Sequence, residues 1–216
     1  MREACRLSRS ITRNMPESRS TDLSSWVRQH KIATLSPARG VPSLVDKIAG
    51  PGVRGSWWSH PRGHEIYRAW RMLVDDPEVL TLKLVAGKVT YVHAELWPLL
   101  LRIVEDPSWR RRAVRSLDAI SRDLLDKVER AGTLRLDQTD FPGGARALKH
   151  AGSALEERAL VIGRDVHTET GRHAPMLESW RLVRERAGAR PEAKISLNDA
   201  IRKLKRLAGG NALAVE

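Results

Sequence analysis

SLDAISRDLLDKVERAGTLRLDQTDFPGGARALKHAGSALEERALVIGRDVHTETGRHAPMLESW, residues 116 to 180, is the stretch whose reading decides the fold. Leu117, Ile120, Leu124 and Val128 recur at helical spacing, and Ala131-Gly132 ends that run. Thr133 to Asp137 alternates, with Leu134 and Leu136 on one face, as a half-buried strand does. Pro142-Gly143-Gly144 resets the backbone, and a helix from Gly144 to Arg158 follows, with Ala147, Leu148, Ala151 and Leu155 inward. Leu160-Val161-Ile162 is rich in strand formers, and the polar run from Gly163 to His173 turns and comes back as a second strand. The predicted order is helix, strand, helix, ribbon, then a closing helix around Trp180.

Upstream, residues 23–49 read as two short helices around a Pro37–Pro42 loop, broken by Gly50-Pro51-Gly52. A helix carrying Ile66, Tyr67, Trp70, Leu73 and Val74 follows, stopped by Asp75-Asp76-Pro77. Leu80, Leu82 and Leu84 alternate, Ala86-Gly87-Lys88 turns, and Val89, Tyr91 and His93 alternate back, which is the clearest hairpin in the chain. Residues 95–105 form another apolar helix, and 107–115 read as a basic connector. Downstream, residues 187–193 are a Gly/Pro/Ala linker, and Ser196 caps a last helix with a stripe of Leu197, Ile201, Leu204 and Leu207. The fold class is therefore α+β and helix-rich. The expected parts are a disordered basic leader (1–20), an N-terminal half of helices and a hairpin (21–108), a winged helix (116–187) and a basic amphipathic helix (194–208). The N-terminal half reads as a platform for the winged helix, and two winged-helix-like units in tandem is the alternative.

At 41% hydrophobic residues the chain can bury a core, and no run approaches the roughly 20 apolar residues that span a membrane. One cysteine, Cys5, rules out an internal disulfide and suits a reducing, cytoplasmic setting. The net charge of +12 is unevenly placed: +5 over residues 1–50, 0 over 51–108, +5 over 109–190 and +2 over 191–216. Basic flanks around a neutral middle suit a polyanion, because Lys and Arg that meet phosphates release counterions. A solvated Arg-rich surface is the plainer account of the same numbers. There is no Gly-rich phosphate loop, nucleophile elbow or Cys-based zinc cluster, and no cofactor is implied.

On the helix from Gly144, Arg146, Lys149 and His150 face outward and suit phosphates or base edges in a major groove of duplex DNA. Glu156 and Glu157 restrict such contact to its first two turns. Arg164, Arg172 and His173 are candidates for a wing touching the backbone, and Arg110, Arg111 and Arg112 add phosphate contacts. Trp57 and Trp58 are candidates for stacking on unpaired bases, or else anchors of a loop on the core. His64, Glu65 and Asp137 would carry proton chemistry if the chain is an enzyme acting on damaged or flipped bases. Without such chemistry Glu65 stabilises a helix start and Asp137 is a loop acid. His60 and His64 have zinc-ligand spacing, but Pro61 and Gly63 oppose a helix there and no metal site is expected. A third reading is a winged helix used for protein contacts, with a homodimer formed through the stripe of the last helix.

Residues 155–162, Thr168-Glu169-Thr170-Gly171-Arg172-His173 and Leu177-Glu178-Ser179-Trp180 resemble bacterial winged-helix DNA-binding proteins. Taken with Trp57–Glu65, the chain is similar to small relatives of the AlkZ-type DNA glycosylases over residues 20–187. That resemblance implies tandem winged helices, a DNA partner and a role in DNA repair. The family's catalytic pair of glutamines, one residue apart, has no counterpart: Gln138 stands alone and Gln29 is remote.

Overall fold

A computed structural model describes residues 17–53, 55–168 and 173–216. The leader assigned to residues 1–20 lies largely outside them, as does the tip of the C-terminal ribbon with Arg172. The chain opens with α1 (Glu17–His30), β1 (Ile32–Thr34), α2 (Leu44–Ala49), a 3-10 turn at Trp57–Ser59 and α3 (Gly63–Val74). The hairpin β2 (Val79–Val85) and β3 (Lys88–His93) closes this unit, in an antiparallel sheet of order β1-β3-β2. The three-residue strand β1 has no counterpart in the sequence reading. Ile32-Ala33-Thr34 is buried throughout, so no alternation betrays it, and it exists by pairing with Thr90–Val92 of β3.

Next come α4 (Trp97–Val104) and α5 (Pro107–Arg115). The basic connector is thus a helix. Asp106 caps it, accepting from Ser108 N at 2.9 Å and Trp109 N at 3.2 Å, and Pro107 suits its first turn. The buried Trp109 fixes it to the core, its Nε1 donating to the Val215 carbonyl at 2.9 Å. Composition hid this helix, because four arginines mask Trp109, Ala113 and Val114, the side chains that dock it.

The C-terminal unit runs α6 (Ala119–Ala131), β4 (Thr133–Arg135), a 3-10 turn at Leu136–Gln138, α7 (Gly144–Glu156), β5 (Ile162–His167) and β6 (His173–Glu178). Its antiparallel sheet has the order β4-β6-β5. Both units therefore share one plan, a helix, a strand, a helical segment and a hairpin, with the first strand paired to the last; α2, a 3-10 turn and α3 form that segment in the first unit, and a 3-10 turn and α7 in the second. α8 (Trp180–Ala187) and α9 (Leu197–Leu207) complete the chain.

The sheet of the first unit is covered on both faces. Val79 and Tyr91 pack with Leu23, Val27, Leu44, Ile66 and Leu73, while Leu80, Leu82 and Val92 join a larger core with α4, α6, α7 and α9. α9 lies on α4, with Ala200 and Leu204 buried and Leu197, Ile201 and Leu207 at the core edge. The stripe read as a homodimer face is thus covered by the chain itself. The two units meet where β2 approaches β5, and Lys83 Nζ pairs with Glu156 at 2.7 Å across that junction. Among the described residues no helix is long and apolar enough to cross a membrane.

Candidate nucleic-acid interface

α7 owes its placement to an apolar face of Leu148, Ala151, Gly152 and Leu155, all buried. Positive φ at Gly143 and Gly144 (84° and 73°) lets the chain turn sharply into the helix, and no side chain caps the start. The opposite face carries Arg146, Lys149 and His150, all exposed, and neither Arg146 nor Lys149 makes an ion pair among the described residues. Two cations with no internal partner sit one turn apart on a rigid helix. Glu157, which caps the end of α7, is exposed, whereas Glu156 is neutralised by Lys83.

Two contacts join the corner between α5 and α6 to this side of the molecule. Arg158, just past α7, donates through Nε to Ser116 Oγ at 2.9 Å. Asp118, the cap of α6, is held below the usual carboxylate range by hydrogen bonds from Ser121, backbone first, with His150 and Arg122 adding positive charge. The C-terminal end of α5 thus lies beside the residues that follow α7. Arg111 and Arg112 are exposed on α5 without an ion pair among the described residues, whereas Arg110 pairs with Glu129. Arg164 leans 3.7 Å from the buried carboxylate of Glu178, which Arg186 also clasps, so part of its charge is compensated within the fold. His173 is exposed at the start of β6.

The Trp57–Glu65 segment is a folded turn rather than a loose loop. Ser56 caps the 3-10 turn, His60 Nδ1 accepts from Arg62 N at 3.1 Å, and Arg62 both pairs with Glu65 at 2.7 Å and donates to the Ile48 carbonyl. That hydrogen bond to Glu65 raises the Arg62 pKa above its ordinary value. Gly63 is required here, since a Cβ would stand 2.9 Å from the Trp58 carbonyl oxygen and 3.0 Å from that of Trp57. Trp57 packs against the smaller core beside Ile48 and Val53, as an anchor does. Trp58 does not: it is 59% exposed.

The residues named for proton chemistry are not brought together. His64 and Glu65 are exposed at the start of α3. Asp137 lies in the other unit, bound by Arg135 at 2.8 Å, and that guanidinium lowers its pKa. None of the described cavities has Asp137 in its wall together with either residue or with Trp57. An ion-paired, exposed carboxylate of lowered pKa is a poor general base near neutrality. Among the described residues no group of three or more His, Cys, Asp or Glu is placed to hold a metal ion.

Sequence reasoning missed one feature of this surface. Trp70 of α3 lines a cavity of about 270 Å³ at the junction of the units, opposite Leu136, Lys149 and Leu177. The signal was present only as Trp70 on the apolar side of a helix, and its far wall is contributed by residues more than 60 positions away. Comparison of the chain with protein-family profiles, with characterised proteins and with solved structures gives no match.

Proposed function

We propose that the chain is a duplex-DNA-binding protein made of two winged-helix units in tandem, with α7 as the helix that lies in the major groove. The shared order of elements and the matching sheet permutations, β1-β3-β2 and β4-β6-β5, support the tandem reading over a platform with a single winged helix. In such a unit the second long helix faces DNA and the hairpin flanks it. The observation that carries the proposal is the pair Arg146 and Lys149, solvent-facing and without ion-pair partners among the described residues, on a helix whose apolar face is buried in the core.

Binding is phosphate-driven in this reading. Arg146 and Lys149 approach the backbone from α7, and Arg111 and Arg112 reach it from α5. Four such contacts give a slope of log K against log salt of about −3.6, or roughly a hundredfold weakening between 50 and 200 mM salt. Titration of a mixed-sequence duplex at a series of salt concentrations tests this. A steep linear decline supports the proposal, and affinity independent of salt rejects it.

A further inference from the structure

Four rings form a connected aromatic strip on the first unit. Trp57 and Trp58 stack with centroids 4.3 Å apart and planes 23° apart. Trp58 meets Tyr67 at 5.3 Å, and Tyr67 meets Trp70 at 5.5 Å. Tilts of 38° and 51° at those two contacts make a curved strip rather than a closed column. Its second member, Trp58, is one of only two large hydrophobic side chains that are exposed among the described residues. A tryptophan recruited purely as an anchor would be covered, as Trp109 and Trp180 are.

The inner end of the strip is equally informative. Trp70 forms part of the wall of the junction cavity, and Lys149 of α7 forms part of the opposite wall. Two wall residues also carry buried polar atoms, Trp70 Nε1 and Thr81 Oγ1, that lack a hydrogen-bond partner among the described residues. Unsatisfied buried polar atoms are uncommon in folded proteins, and these two mark a wall whose hydrogen bonding the fold itself leaves incomplete. The cavity, about 270 Å³, lies just below the range of about 300–1,000 Å³ typical of small-molecule sites, which suits a single ring system.

We infer that the strip from Trp58 through Tyr67 to Trp70 binds unpaired bases of a DNA strand whose phosphates are held by Lys149 and Arg146. The inference rests on the proposed DNA binding and adds a ligand class to it, single-stranded or locally unpaired DNA. Aromatic faces accept any base, while the cations of α7 supply the sequence-independent attraction for the backbone. On the α3 side, Arg62 and Arg71 are already paired with Glu65 and Asp75. Stacking therefore dominates on the α3 side and charge on the α7 side.

The experiment compares three DNAs of equal strand length at one salt concentration: oligo-dT, an abasic oligomer with the same phosphates but no bases, and a fully paired duplex. The intact chain binds oligo-dT roughly tenfold more tightly than the abasic oligomer, with quenching of tryptophan fluorescence. Trp58→Ala removes most of that preference and Trp58→Phe restores part of it. Urea unfolding verifies folding, because loss of a stacked indole changes near-UV circular dichroism even when the fold is intact. Equal binding of oligo-dT and the abasic oligomer, or a Trp58→Ala preference equal to that of the intact chain, overturns the inference. Either result leaves the duplex proposal standing if the duplex is bound. Failure to bind any of the three overturns both.

Discussion

Gly163→Ala in β5 is the sharpest test of how the two units are joined. Alanine ordinarily improves a strand position by about 0.5–1 kcal/mol relative to glycine, by restricting the unfolded chain. Here a Cβ would overlap Glu156 Oε1 and stand 2.5 Å from its Cδ. The carboxylate has to swing away, and in doing so it abandons Lys83, its partner at 2.7 Å across the junction. The Lys83 and Glu156 side chains are 32% and 20% exposed. The loss therefore falls between the ~0.2–1 kcal/mol of an exposed pair and the ~3–5 kcal/mol of breaking a buried one, at about 1–2 kcal/mol. Gly163→Ala is thus expected to destabilise the intact chain by about 1 kcal/mol. In a Glu156→Ala background the obstacle is gone, and the same substitution becomes neutral or stabilising by up to about 1 kcal/mol. Urea unfolding of the wild type, both single variants and the double variant measures the coupling, expected to be on the order of 1–2 kcal/mol. Strictly additive effects would refute the packing of Glu156 over β5 and with it the described junction.

Trp109→Phe removes the indole N–H donated to the Val215 carbonyl and leaves a void in the core, at about 1–3 kcal/mol. Thermal melting should fall by roughly 3–8 °C, and an unchanged melting point would detach the C-terminal residues from the fold. Asp106 is held well below the usual carboxylate range, first by the Ser108 hydroxyl and then by Arg102. A depressed folded pKa stabilises the fold above the unfolded value near 4, and that contribution is lost as pH falls through the folded pKa. Unfolding free energy should therefore decline below about pH 4, and Asp106→Asn should flatten that decline while keeping a helix cap. An Asp106→Asn profile parallel to that of the wild type would contradict the assignment.

Much of the fold was legible because its elements carry their own periodicity. The Val79–His93 hairpin alternates cleanly, and the face of Leu148, Ala151 and Leu155 identifies α7 without help from the rest of the chain. The helix α5 and the strand β1 were not legible for opposite reasons. α5 is dominated by arginines around Trp109, Ala113 and Val114, and β1 is uniformly buried and only three residues long. Both exist through tertiary contacts, one with Val215 and the other with β3.

The candidate interface divides in the same way. Outward cations on α7 follow from helix periodicity alone, so Arg146, Lys149 and His150 could be named from the sequence. Ion pairing does not follow from it. Arg110 is taken up by Glu129, and Arg164 stands beside Glu178, a carboxylate that no local pattern marks as buried. The strip from Trp58 to Trp70 was visible only at its Trp57-Trp58 end, because Tyr67 and Trp70 read as ordinary members of an apolar helix face.

The account turns on whether α7 touches a phosphate backbone. Arg146→Glu combined with Lys149→Glu leaves the fold intact, since both side chains are exposed and lack ion-pair partners among the described residues. The direct measurement is the salt dependence of duplex binding for this double variant beside the wild type. Loss of two phosphate contacts should reduce the slope of log K against log salt by about 1.8 and weaken binding at every salt concentration. A double variant that unfolds at the same urea concentration as the wild type, yet binds duplex DNA with the same affinity and the same slope, would contradict the account.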